Sequence, residues 1–294
     1  MKNRIYVALF GAFVISPAFA DQEVDESLDA AADGEVDISN VAGSIAVAGW
    51  SRNSVRVQGT LGDDVEELIF ERDGDDILIK VKVPRNHGRD IDSDLVINVP
   101  ENSSIDVSGV SADIEVDGVV GEQSLATVSG DVATRSAQGD VEAASVSGDI
   151  EVSGEGEDAE TEAATVSGDV TLSGLAGSVE AESVSGDVSV VDGSFDEAYL
   201  ESVNGDLLYN AELRDGGELA MESVNGTIEV TFTSPVSARF DIETFNGSIR
   251  NCFGPKPERT SRYSPGLELS FTQGDGDGQV AIETLNGSVR ICDQ

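Results

Sequence analysis

Val128-Ser129-Gly130-Asp131-Val132, Val146-Ser147-Gly148-Asp149-Ile150, Val166-Ser167-Gly168-Asp169-Val170 and Val184-Ser185-Gly186-Asp187-Val188 are four near copies of one five-residue unit. Looser copies follow at Val203-Asn204-Gly205-Asp206-Leu207, Val224-Asn225-Gly226-Thr227-Ile228, Phe245-Asn246-Gly247-Ser248-Ile249 and Leu285-Asn286-Gly287-Ser288-Val289. Self-similarity at a period of about 20 residues marks a stacked, elongated architecture, in which each unit buries its apolar side chains only against its neighbours.

Aligned on the glycine, the copies place apolar residues at positions −7, −5, −2, +2 and +4, with polar residues between them. Period-two alternation in segments rich in Gly, Val and Ile predicts strands and excludes helix. The apolar columns are expected to face inward and the Asp and Glu columns outward. The alternation slips between −5 and −2, which puts a bend there. Glycines recur nine residues apart at Gly121, Gly130, Gly139 and Gly148, and again at Gly168, Gly177 and Gly186. The expectation is an all-β, single-stranded β-solenoid (β-helix-like), with coils of 18–21 residues, each stacked on the next. A competing reading takes every Asn-Gly as a type I′ turn and builds antiparallel hairpin repeats in a sandwich. The acidic run from Glu155 to Glu162 reads as a flexible insertion.

The chain opens with Lys2 and Arg4, an apolar run from Ile5 to Ile15, and Ala18-Phe19-Ala20. That is the order of a cleaved signal peptide over residues 1–20, with an apolar run too short to span a bilayer. The expected product is soluble and exported, either periplasmic or secreted. Residues 21–105 hold strand-like segments without the glycine repeat and are expected to cap the N-terminal end. Residues 106–294 form the repeat array, interrupted by a loop insertion over 253–278 that carries Lys256, Arg259 and Arg262.

Cys252 and Cys292 each lie five residues beyond the glycine of their copy, Gly247 and Gly287. In-register neighbours in a sheet sit close enough to be bridged, and an exported chain with two cysteines is expected to use both in a disulfide. Closing that 40-residue loop contributes up to ~4 kcal/mol in the chain-entropy model.

The formal charge is −40, and −42 without Lys2 and Arg4. Such a chain repels nucleic acid and anionic membrane surfaces, so neither is an expected partner, and no membrane insertion is expected. The single histidine, His87, sits in a polar loop and is a poor start for a zinc site or a catalytic triad. No catalytic residue and no cofactor is expected. The one feature with chemical potential is stacked carboxylate: Asp131, Asp149, Asp169, Asp187 and Asp206 share position +1, and Glu182, Glu201, Glu222, Glu243 and Glu283 share position −4. Columns of like charge repel, and calcium relieves such repulsion, so the five aspartates are candidate calcium ligands.

The run Gly43-Ser44-Ile45-Ala46-Val47-Ala48-Gly49-Trp50, then Val99-Pro100, then the serial Val-Ser-Gly-Asp-Val units, resembles a bacterial family of proposed adhesins, a β-strand-repeat domain of unknown function. It is also similar to the head domain proposed for autotransporter adhesins. The resemblance implies repetitive β-structure and an envelope or surface role, and transfers no catalytic residue. The expectation is a non-enzymatic, monomeric binding or scaffold module whose ligand is a surface, a glycan or a protein. A carbohydrate-active enzyme on a β-helix is the alternative, and a calcium-stabilised exoprotein the third reading.

Overall fold

The computed structural model describes residues 22–85, 90–261 and 265–293. The signal segment, His87 and Arg262 lie outside the described residues. Every regular element among the described residues is a strand, and all 23 strands join one mixed sheet. One face is laid down by Gln123–Thr127, Val141–Ser145, Asp158–Thr165 and Ala176–Ser183, each parallel to the next. Val132–Ala137, Ile150–Gly154 and Val170–Ser173 build the other face, again in parallel. Across the first face Leu125, Ala143, Ala163, Ala181, Leu200 and Met221 pair in succession, at offsets of 18, 20, 18, 19 and 21 residues. Four long strands, Glu35–Trp50, Ser104–Asp117, Val188–Asn204 and Leu207–Asn225, run through a corner and pair on both faces, which makes the sheet continuous.

Parallel pairing of the copies removes the hairpin alternative. Segments flanking each Asn-Gly pair with adjacent coils and not with one another. Antiparallel pairs among the described residues are confined to the ends of the stack, where they cover its open edges. The acidic run at 155–162 is no flexible insertion either. From Asp158 onward it is strand: Asp158–Thr165 pairs along its whole length with Ala176–Ser183 and, over 161–165, with Val141–Ser145, while Thr161 and Ala163 point inward and Arg214 binds Asp158.

Chain order and spatial order separate at both ends. At the N-terminal end, Ile38 pairs with Ile79 on one side and Val107 on the other, so residues 35–50 lie inside a coil that follows them in sequence. At the C-terminal end, Ile282 lies between Met221 and Ile242, and Val289 between Ile228 and Ile249. The final copy is therefore wedged between the two copies that precede it, where simple stacking puts it outermost. Consecutive stacking, expected from the repeat, holds only in the middle. The wedged coil is held by the Cys252–Cys292 disulfide, whose Cα atoms are 4.9 Å apart.

Inward residues make one continuous core. Val188, Val190, Leu200 and Leu219 are each fully buried, and such burial stabilises by roughly 1.5–3 kcal/mol per side chain. Toward the C-terminal end the core turns aromatic: Phe195, Tyr209, Phe232 and Phe240 follow one another with ring centroids 6.0–6.2 Å apart. Phe271 of the insertion stacks on Phe240 at 4.5 Å, and Phe253 packs beside both. These rings close the end of the core.

The expected phase fails at one position. Residues at −7, −5, +2 and +4 are buried, but the apolar residue at −2 is not: Val128, Val146, Val166 and Val184 are 44–46% exposed. The Ser or Thr at −3 points inward instead, as at Thr127, Ser145, Thr165 and Ser183. Strand alternation runs unbroken through −3, and the chain turns only at −2 to +1. In the middle coils the buried hydroxyl donates to a carbonyl of the coil beneath, Ser183 to Gly168 at 3.0 Å and Ser202 to Gly186 at 3.0 Å, whereas the buried hydroxyls of Ser223 and Thr284 have no hydrogen-bond partner among the described residues.

Candidate functional site: a corner ridge and an acidic groove

The Val-Ser-Gly-Asp unit is a corner, and each of its residues forms a column. The glycines stack so closely that a Cβ on Gly148, Gly186 or Gly226 would collide with the carbonyl oxygen of Gly130, Gly168 or Gly205. None of these glycines has a positive φ, so close approach and not a left-handed backbone is what demands them.

The aspartates stack alongside. Asp149, Asp169 and Asp187 each donate a backbone N–H to the Oδ1 of the aspartate one coil earlier, at 2.9, 2.9 and 2.8 Å. Asp206 continues the column onto Asp187 at 2.7 Å, and Asp113 starts it beneath Asp131 at 3.1 Å. The structure thus brings the five candidate calcium ligands into one row and occupies one oxygen of each with a main-chain donor. Among the described residues, no three His, Cys, Asp or Glu side chains cluster so as to hold a metal ion. Where Ser gives way to Asn at −1, the side chains form an amide ladder: Asn225 donates to Asn204, Asn286 to Asn225, and Asn246 to Asn286, at 2.9–3.1 Å.

The residue at −2 caps the corner. In spatial order the column is Val110, Val128, Val146, Val166, Val184, Val203, Val224, Leu285 and Phe245; all but the half-buried Val203 are 39–50% exposed. With strands about 4.8 Å apart, this ridge runs for roughly 38 Å. A soluble protein seldom presents so long a continuous apolar line to water without a use for it. The signal was present in the sequence, since the −2 valine stands out of phase with the strand alternation.

Next to the ridge runs the −4 column. It is Ala126, Ala144 and Ala164 in the early coils and becomes Glu182, Glu201, Glu222, Glu283 and Glu243 in the later ones. The insertion adds two members missed in sequence, Glu268 opposite Glu243 and Glu258 opposite Glu268. Burial raises the pKa of Glu182, and the neighbouring Glu180 and Glu201 raise it further. Tyr199 donates its hydroxyl to Glu201 at 2.6 Å, and that bond, with burial, lifts the phenol well above its usual value.

Glutamate row and apolar ridge meet in a groove of about 300 Å³. It is lined by Glu201, Glu222, Glu243 and Glu283 of the row, by Val224, Leu285 and Phe245 of the ridge, and by Thr260 and Gly266 of the insertion. A second depression, about 500 Å³, lies on the far side of the corner near Asp187, Asp206 and Glu229. Its two aspartates already accept main-chain hydrogen bonds, so the first groove is the better-furnished one.

Fold and corner together define a class: an all-β, solenoid-like protein whose parallel coils are aligned by stacked corner residues. The chain belongs to the Toastrack DUF4097 family, whose model matches residues 23–190. Among solved structures it is similar to a putative adhesin from Parabacteroides distasonis, with 12% identity over 92% of this chain and 98% of that one and a TM-score of 0.50. It is also similar to a putative adhesin from Bacteroides fragilis, with 9% identity, 93% and 98% coverage and a TM-score of 0.41. At these identities the likeness is one of fold. No curated protein sequence matches the chain.

Proposed function

We propose that this protein is a non-enzymatic, exported envelope module that binds a surface, glycan or protein ligand in the manner of an adhesin. The observation that carries the reading is the exposed ridge from Val110 to Phe245, which every coil extends by one side chain. Folding alone gives no reason to repeat an apolar residue at a solvent-facing corner, because the core is complete without it. In this reading the coils wind as a single-stranded β-solenoid, 18–21 residues per turn, and the monomer is the working unit. Export rests on the segment from Met1 to Ala20, with the periplasm or the exterior as destination. The Parabacteroides distasonis protein of similar fold is itself a putative adhesin.

Glycan-array binding and a polysaccharide hydrolysis screen, run side by side, test the reading. Retained ligand without turnover is the expected result. Turnover abolished by one Glu or Asp substitution in the groove would replace it with the carbohydrate-active alternative.

A further inference from the structure

We infer that the groove at the C-terminal part of the ridge is a docking site for a basic amphipathic peptide segment, one that alternates Lys or Arg with apolar residues. The inference rests on the binding reading above and names the chemistry of the partner. Two features converge on one strip of surface. Val224, Leu285 and Phe245 offer apolar contact, being 39%, 48% and 50% exposed. Beside them Glu201, Glu222, Glu283 and Glu243 stand on successive strands. No salt bridge among the described residues reaches any of these four carboxylates.

Charge complementarity therefore selects the occupant. At about 4.8 Å per strand the four carboxylates span roughly 14 Å. An extended peptide places like-facing side chains about 6.7 Å apart, so two or three cations lie over the row while the intervening apolar side chains turn toward the ridge. A polycation without apolar residues leaves Phe245 and Leu285 wet. A neutral or anionic apolar ligand leaves the carboxylates unpaired or repelled. The early coils carry the same ridge beside Ala126, Ala144 and Ala164, so they offer apolar contact without the charge, and the site is local to the C-terminal coils.

The test is fluorescence anisotropy of three labelled eight-residue peptides, Lys-Leu, Lys-Ser and Glu-Leu alternations, on the purified protein at low salt. The Lys-Leu peptide should bind saturably and at least ~10-fold more tightly than Lys-Ser, with Glu-Leu not binding. The exposed pair Glu222→Gln with Glu283→Gln should weaken Lys-Leu by ~10-fold or more, and Phe245→Ser should erase the advantage of Lys-Leu over Lys-Ser. Thr171→Ala, exposed on the strand Val170–Ser173 and outside both ridge and groove, should change nothing. Equal binding of Lys-Leu and Lys-Ser, or undiminished binding to the double variant, overturns the inference. The peptide comparison on the unaltered protein decides the matter even if a variant misfolds. A protein that ignores Lys-Leu yet holds a glycan or surface ligand loses only this inference; one that binds none of them loses the binding reading as well.

Discussion

Gly247 packs against the carbonyl oxygen of Gly287, the glycine of the copy that follows it in the chain, and not against Gly226, the glycine of the copy before it. Gly287 in turn sits on Gly226. The same inversion holds for the Asn ladder, where Asn286 lies between Asn225 and Asn246. The last coil is thus a wedge, and the stack is complete only once the C-terminus has returned to its slot.

The disulfide between Cys252 and Cys292 secures that wedge. Reduction, or Cys292→Ser, should lower stability by up to ~4 kcal/mol. The loss should be local in its first effects. Amide exchange should accelerate over residues 279–293 and 238–251 before it changes over 123–190, as measured by hydrogen–deuterium exchange with mass spectrometry.

Glycine in the corner column is required by the carbonyl beneath it. Gly186→Ala forces the added methyl into the Gly168 carbonyl and should cost roughly 1–3 kcal/mol, the usual range for overpacking. Gly118→Ala adds a Cβ that meets nothing, so its cost should come only from its positive φ of 65°. Urea denaturation of the two variants reads the difference.

Phase at the corner is tested by a pair two and four residues apart from Gly186 in opposite directions. Val184→Ser removes an exposed side chain and should shift stability by less than about 0.5 kcal/mol. Val190→Ala empties a buried position and should cost about 2 kcal/mol or more. Ser183→Ala should cost about 1 kcal/mol through the lost bond to the Gly168 carbonyl.

Much of this was legible in the chain, for reasons tied to particular residues. Parallel, in-register coils follow from the constant glycine spacing, and the pairing of Cys252 with Cys292 from their shared offset. The inward serine at −3 was not legible, because hydrophobicity alone cannot see that a hydroxyl buried beside a glycine carbonyl is satisfied. Nor was the wedge: the copies at Gly226, Gly247 and Gly287 are nearly equivalent, and the contacts that accompany their order, the packing of Phe240, Phe253 and Phe271 and the antiparallel pairing of 238–244 with 267–273, involve residues outside the repeated unit. The groove was half legible, since the glutamate column could be read but its junction with an exposed ridge depended on the phase error.

The glutamate row carries a pH signature. The folded-state pKa of Glu182 is raised, by burial first and by Glu180 and Glu201 next. The folded state therefore holds the proton more tightly than the unfolded chain, and the destabilisation is absent at pH below the unfolded value. It sets in as pH rises through the raised folded value. Glu182→Gln should stabilise by about 0.2–1 kcal/mol at neutral pH, the scale of a like-charge pair across a sheet. The gain should vanish near pH 4, as thermal melts across that range will show.

Whether the ridge binds is decided by saturable binding of the labelled protein to envelope preparations, compared with a variant carrying Val146→Ser, Val166→Ser and Val184→Ser. If the ridge is the binding surface, the variant binds at least ~10-fold more weakly with an unchanged melting temperature, since these side chains are exposed and surface changes leave stability nearly untouched. Equal binding by the two proteins would contradict it.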